Sequence, residues 1–303
     1  MAKKQTDLKE VKVTKHHSGF VNIFGLPNVG KSTLLNALLN EKISIVTPKA
    51  QTTRKRIIGI WNDPRFQVVF NDTPGILEPH YKLQESMANV IQEAMQDVDI
   101  ALFLIEANMN EMAAKAQFDQ LKFKVPVILV LNKIDQITEP VLRMKMGFWA
   151  GVEGIKEVVP VSALKKRNLD ILKAMILKYL PEGPAFYDKE HISDRNVRFF
   201  MSDFIREKIF LYTHDEIPYH TEVVVVDYKE KEDIDVITAE IYVNRESHKS
   251  MLIGKGGALI KRISTEARAD MEKFLGKKVF LDTRVKVKEN WIDNERSLKS
   301  FGY

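Results

Sequence analysis

The 303-residue sequence contains no cysteine. That absence removes disulfides, thiolate zinc sites, iron–sulfur clusters and thiol nucleophiles together, and it fits a cytoplasmic protein. Long apolar runs are missing too: none reaches the roughly 18–20 residues that cross a bilayer. Residues Met1 to Lys15 are charged and lack an apolar centre, so they do not read as a secretion signal. Neither a carboxylate pair nor a Ser–His–Asp arrangement stands out, and His16-His17 lacks metal-ligand spacing. What is present is a 45% hydrophobic fraction, which excludes wholesale disorder. The length predicts two domains. A net charge of +5 suggests an anionic partner.

That charge is uneven. Glu222 to Glu240 carries two basic residues against seven acidic ones, whereas Arg245 to Tyr303 carries fourteen basic against eight acidic. A solvated mixed surface and a basic face for nucleic acid both fit this pattern.

The expected fold class is α/β followed by α+β. Residues 1–18 read as a polar tail. Short apolar runs at Phe20–Phe24, Ile100–Ile105, Val125–Leu131 and Val158–Val161 alternate with helical patterns such as Leu83–Met95 and Leu169–Leu180. Buried parallel strands in a mostly parallel six-stranded sheet are the expected picture. Ile57–Trp61 and Phe66–Phe70, separated by Asn62-Asp63-Pro64-Arg65, read as an antiparallel hairpin. The first domain is predicted over 19–183, a linker over 184–196 after Pro181-Glu182-Gly183-Pro184, and a second domain over 197–303. That second domain is expected to hold a helix near Val197–Leu211 and strands near Glu222–Asp227 and Val236–Val243. A third strand near Lys249–Ile253, a glycine turn, a helix over Ala258–Leu275 and a strand near Val279–Val287 should follow.

Gly25-Leu26-Pro27-Asn28-Val29-Gly30-Lys31-Ser32, before Thr33, fits G-x-x-x-x-G-K-S between a predicted strand and a predicted helix. In that context glycines let backbone N–H groups wrap a phosphate, and the helix terminus adds positive charge. Lys31 reaches the β- and γ-phosphates, and Ser32 offers an oxygen to Mg²⁺. Asn132-Lys133-Ile134-Asp135 follows an apolar strand. A carboxylate there accepts from N1–H and the 2-amino group of guanine, donors that adenine does not present together. Asn132 can tie this loop to the phosphate loop, the Lys133 stem can lie along the base, and the backbone of Ser162 and Ala163 can face the guanine carbonyl. Asp72-Thr73-Pro74-Gly75 offers Asp72 to Mg²⁺ through water and the Gly75 N–H to a third phosphate. A second Mg²⁺ hydroxyl is expected from Thr53, with Thr52 the other choice. The neighbouring Arg54-Lys55-Arg56 reads as a solvated loop. Ile76 stands where many GTPases carry a water-orienting glutamine, so no side chain qualifies as general base and intrinsic hydrolysis should be slow.

Ile253-Gly254-Lys255-Gly256-Gly257, with Lys261 and Arg262 beyond it, fits a GxxG loop that clamps about four single-stranded nucleotides. The lysines and arginine would neutralise phosphates. Trp61, Trp149 and Trp291 read as packing residues.

Gly25 to Thr33, Gln51-Thr52-Thr53-Arg54, Asp72 to Gly75, the GxxG loop, and the stretches Arg284 to Trp291 and Glu295 to Gly302 together resemble the Era family of bacterial ribosome-assembly GTPases, one of the TrmE-Era-EngA-like group. The resemblance covers nearly the whole chain beyond the N-terminal tail. It implies GTP hydrolysis with GTP/GDP and Mg²⁺, a P-loop GTPase domain and a type II KH domain. It also implies action on the 3′ end of 16S rRNA in 30S subunit assembly and peripheral inner-membrane contact in some members; separately, a monomer is expected. Related GTPases bind K⁺ at an asparagine matching Asn28. A GTP-ordered pair of segments, Thr52–Thr53 and Gly75–Tyr81, is expected to govern how the KH domain faces RNA. The rival readings are a GTPase of tRNA modification or membrane signalling, a metabolic P-loop kinase, and an RNA-binding protein with a vestigial nucleotide site.

Overall fold

The computed structural model describes residues 15–76 and 78–303. Strand β1 (His17–Phe24) begins two residues inside the segment expected to be tail, because His17 and Ser18 pair with the neighbouring strand through Phe66 and Gln67. Residues 1–14 lie outside the described residues. Helix α1 (Lys31–Leu39) follows the phosphate loop. Strands β2 (Ile57–Asp63) and β3 (Phe66–Asp72) form the expected hairpin, with Ile57 opposite Asp72. Helix α2 (Lys82–Ala94) buries Leu83, Met87 and Ile91, a one-face spacing of four. Then come β4 (Ile100–Glu106), α3 (Glu111–Leu121), β5 (Val127–Asn132), α4 (Glu139–Ala150), β6 (Ile155–Pro160) and α5 (Leu169–Tyr179).

The sheet order is β2-β3-β1-β4-β5-β6, with only β2 antiparallel. Strands β4 and β5 are apolar along nearly their whole length because helices cover both sheet faces. The carboxyl ends of β1, β3, β5 and β6 therefore meet at one edge of the sheet, where open α/β folds bind ligands.

Residues 184–196 run beside the free edge of β2. The Ile60 N–H donates to the Ile192 carbonyl at 2.9 Å, and the Ser193 hydroxyl donates to the Ile58 carbonyl at 2.6 Å. The connection therefore covers a strand edge that would otherwise be open to pairing.

The second unit holds α6 (Val197–Tyr212), β7 (Thr221–Lys229), β8 (Ile234–Val243), α7 (Glu246–Ile253), α8 (Ala258–Leu275), β9 (Lys278–Val287) and α9 (Glu295–Ser300). Its sheet runs β7-β8-β9, antiparallel then parallel. The strand expected over Lys249–Ile253 is instead the second half of α7. The segment Glu246-Ser-His-Lys-Ser has no β-branched residue, and its buried members, His248 and Leu252, are four apart. That spacing is helical, and the apolar trio Met251–Ile253 is too short to impose a strand. The glycine loop thus joins two helices.

Candidate functional site

The phosphate loop turns from β1 into α1 through Gly30, whose φ of 100° is a conformation that only glycine adopts without strain. A Cβ there would also collide with the Asn132 side chain. Asn132 fixes the relation of three loops: its Nδ2 donates to the Val29 carbonyl at 2.8 Å, and its Oδ1 accepts from the Ala163 N–H at 3.0 Å. The tie expected from the sequence is present.

Lys31 is buried, and its Nζ donates to the carbonyls of Gly25 at 3.1 Å and Leu26 at 2.9 Å. Burial pushes its pKa down to about 8, with the nearby Asp72 carboxylate opposing the shift. Asp72 ends β3 and is fully buried. Its Oδ2 accepts from Ser32 at 2.7 Å, from Ser44 at 2.7 Å and from Thr53 at 3.3 Å. Burial raises its pKa against those hydrogen bonds. Ser32 and Thr53 hydroxyls lie 2.9 Å apart. The structure thus brings Ser32, Thr53 and Asp72 together. Thr52 instead lends its carbonyl to Arg206 at 2.8 Å.

Asp72 Oδ1 is buried and has no hydrogen-bond partner. An orphaned carboxylate oxygen beside two hydroxyls is a donor set suited to Mg²⁺, which takes oxygen ligands and keeps several waters. The Gly75 backbone packs on Pro27 of the phosphate loop: a Cβ at Gly75 would stand 2.8 Å from the Pro27 nitrogen. The Ile76 N–H donates to the Gly25 carbonyl at 3.2 Å. Leu77, within the expected Gly75–Tyr81 segment, lies outside the described residues.

One cavity of about 410 Å³ lies over this cluster. It runs from Asn28, Lys31, Ser32 and Thr53 past Gly75 to Asn132, Lys133, Asp135 and Ser162. Lys133 has φ 62° and pairs with Glu106 at 2.8 Å, an ion pair with no sequence signal. Asp135 lies at the other end, and hydrogen bonding from Ser162 holds its carboxyl below the ordinary value. Among the described residues no group of three or more His, Asp or Glu is placed to hold a metal ion.

The glycine loop joins α7 to α8 in the second unit. Lys255 and Gly256 are exposed, and a Cβ at Gly256 would touch nothing within 4 Å. Lys261 is exposed on α8. Arg262 is exposed, stacks on the Tyr212 ring at 3.9 Å and pairs with Glu266 at 3.2 Å. Ile253, half-buried, closes the base of the loop. The acidic β7–β8 hairpin sits at the other end of α8, where Lys277 pairs with Asp235 at 2.9 Å. Eighteen residues of α8 separate the two ends by roughly 27 Å.

Arg54 overturns the reading of Arg54-Lys55-Arg56 as solvated. It is 2% exposed and its guanidinium donates to the carbonyls of Pro218, Tyr219 and Thr221 and to Glu222. Ser44, the third donor to Asp72, went unmarked as well. Ser44 has no distinguishing spacing in its polar loop, and Arg54 enters only as the last residue of Gln51-Thr52-Thr53-Arg54, a spacing that does not tell a buried arginine from a solvated one.

A family model described as a 50S ribosome-binding GTPase matches residues 20–133, and a KH domain model matches residues 216–292. The chain is 45% identical over 291 residues to the GTPase Era of Clostridium botulinum (strain Hall), covering 94% of this chain and 98% of that protein. It is 43% identical over 293 residues to the GTPase Era of Thermoanaerobacter sp. (strain X514), covering 95% and 97%. Among solved structures, it is similar to Era in complex with MgGDPNP and nucleotides 1506–1542 of 16S ribosomal RNA, with 39% identity, a TM-score of 0.90, and 95% and 99% of the two chains covered. An Aquifex aeolicus Era variant bound to GDP·AlF4⁻ matches at 38% identity with a TM-score of 0.89, over 95% and 99%.

Proposed function

Because the chain belongs to the Era family of GTPases, we propose that it binds GTP with Mg²⁺, hydrolyses it, and uses the nucleotide state to govern binding of the 16S rRNA 3′ end during small-subunit assembly. The observation that carries this reading is the single cavity joining the Lys31–Ser32–Thr53 oxygen and ammonium cluster to Asp135. A triphosphate fits one end and a guanine the other.

Ser32 and Thr53 would ligate Mg²⁺, with Asp72 acting through water. When bound, that ion supplies positive charge where the bridging oxygen of the leaving diphosphate becomes negative. Lys31 would add a second charge against the β- and γ-phosphates, and the Gly75 N–H would donate to the third phosphate. Ile76 cannot orient or deprotonate water, so intrinsic hydrolysis is slow and water is held by backbone groups, a partner or a cation. Asn28, at φ 64° on the cavity wall, suits K⁺ there. Turnover should be faster in K⁺ than in Na⁺ at equal ionic strength; equal rates in a phosphate-release assay would contradict the K⁺ role.

The exposed GxxG loop between α7 and α8 is the RNA clamp, with Lys255 and Lys261 on phosphates. Gly256 has φ 58° and open space around it, so Gly256→Asp costs only about 1–2 kcal/mol of backbone strain. It sets a carboxylate against the RNA backbone. RNA affinity should fall about tenfold or more while GTP turnover stays at the wild-type value. Unchanged binding in a filter assay would remove the loop from the interface.

The function as a whole is tested by RNA affinity in the two nucleotide states. An oligonucleotide of the 16S 3′ end should bind differently with a GTP analogue and with GDP. Equal affinity would rule out nucleotide control. The cytoplasm, where ribosomes assemble, is then the place of action. No helix among the described residues is long and apolar enough to cross a membrane.

A further inference from the structure

The loop between α1 and β2 is stitched along its length to the KH unit. Lys42 pairs with Glu207 at 2.6 Å, the Val46 N–H donates to Glu207 at 3.3 Å, and Lys49 donates to the Phe210 carbonyl at 2.6 Å. The decisive contacts sit at Thr52, Thr53 and Arg54. Thr53 faces Ser32 and Asp72 in the nucleotide site. Its neighbours on both sides are held by the other domain. The Thr52 carbonyl accepts from Arg206 of α6 at 2.8 Å. Arg54 donates to the Pro218 carbonyl at 2.9 Å, to Tyr219 at 2.8 Å, to Thr221 at 2.8 Å and to Glu222 at 3.1 Å, with the Phe210 and Trp291 rings beside its guanidinium.

Consecutive Cα atoms are about 3.8 Å apart. Thr53 therefore cannot leave Ser32 and Asp72 by more than a side-chain rotation unless Arg54 or Arg206 gives up buried hydrogen bonds. Those bonds are charge-assisted and shielded from water, the strong kind. Arg206 is itself fixed, since its guanidinium grips Asp203 at 2.8 Å while reaching Thr52.

We propose that Arg54 and Arg206 are positioning residues of the GTPase: through them the docked KH domain holds Thr53 where the GTP-bound site needs it. The proposal rests on the GTPase reading above. Neither arginine touches nucleotide. Each acts through the backbone on either side of Thr53. In GTPases this segment is ordered by contacts that depend on the γ-phosphate. Loss of its outer anchor should therefore weaken the triphosphate state and leave the diphosphate state as it was.

The test uses the full chain with Arg54→Lys and, separately, Arg206→Lys, which keeps a charge beside Asp203. Each is titrated with fluorescent GDP and with a fluorescent non-hydrolysable GTP analogue, and assayed for turnover. We expect the GDP affinity of wild type, a GTP-analogue affinity lower by about tenfold or more, and kcat lower by up to about a hundredfold, the cost of misplacing a catalytic geometry by an ångström. Should Arg54→Lys fail to fold, as judged by its melting curve with GDP, Arg206→Lys decides. Unchanged analogue affinity and kcat would overturn the proposal. So would equal losses for GDP and analogue, which would make these arginines merely structural. Wild-type protein that bound neither nucleotide would instead fail the GTPase reading, so the two failures are distinguishable.

Discussion

Asp135→Asn protein should lose its preference for GTP and gain one for the xanthine nucleotide. The carboxylate accepts two hydrogen bonds from the guanine edge. An amide in its place offers one acceptor and one donor, which suits a 2-oxo group and opposes a 2-amino group. Sites built on such bonds discriminate by roughly 10⁴ or more, because the wrong partner leaves polar groups unpaired. Ser162 already stabilises the charged carboxylate, so the site is poised to accept at neutral pH. Stability should change little, since Asp135 is exposed. Competition binding with GTP and XTP checks the result. Full retention of GTP preference would contradict the assignment of Asp135 to the base.

Lys31→Ala should weaken nucleotide binding by about 2–5 kcal/mol, the usual cost of removing one member of a buried charge pair. That corresponds to roughly 30-fold to several thousandfold in Kd. The intact lysine should also make binding depend on pH, and the sign follows from its environment. Without nucleotide, burial lowers its pKa to about 8. Phosphate oxygens favour the charged form and raise it. Below pH 8 the ammonium is charged before binding, and affinity is flat with respect to this group. Above pH 8 binding must take up a proton, so affinity falls by up to about tenfold per pH unit until the bound-state pKa is reached. Isothermal titration in buffers of different ionisation enthalpy reads that proton directly. Lys31→Ala should abolish the uptake, and a persisting uptake would assign the proton to another group.

The nucleotide site was legible in the sequence because its chemistry sits at strand ends. The strands β1, β3, β5 and β6 are set by short apolar runs, and the loops after them are constrained by residue types with few alternatives, such as Gly30 or Asn132. The sequence favours Thr53 over Thr52 as the second hydroxyl, although both occupy the same polar loop. In the structure Thr53 reaches Asp72 while the Thr52 carbonyl turns to Arg206. The second unit was less legible. Helix α7 was misread as a strand because eight residues with only two buried positions carry a weak periodic signal. Arg262 remains exposed at the surface, with Glu266 one helical turn on as its i+4 partner; its stacking on Tyr212 of α6 is the part that no local pattern encodes. Arg54 was the largest omission. Its acceptors lie more than 160 residues away, and a basic tripeptide is solvated far more often than buried. Burying an arginine requires a complete set of acceptors, and that set exists only once the two units are docked.

The central claim is a pocket that takes guanine nucleotides through phosphate and base together. Calorimetric titration of the purified chain in Mg²⁺, first with GDP and then with ADP, tests it most directly. Saturable heat with GDP and none with ADP at the same concentrations is the expected result. Equal binding of the two, or none of either, would contradict it.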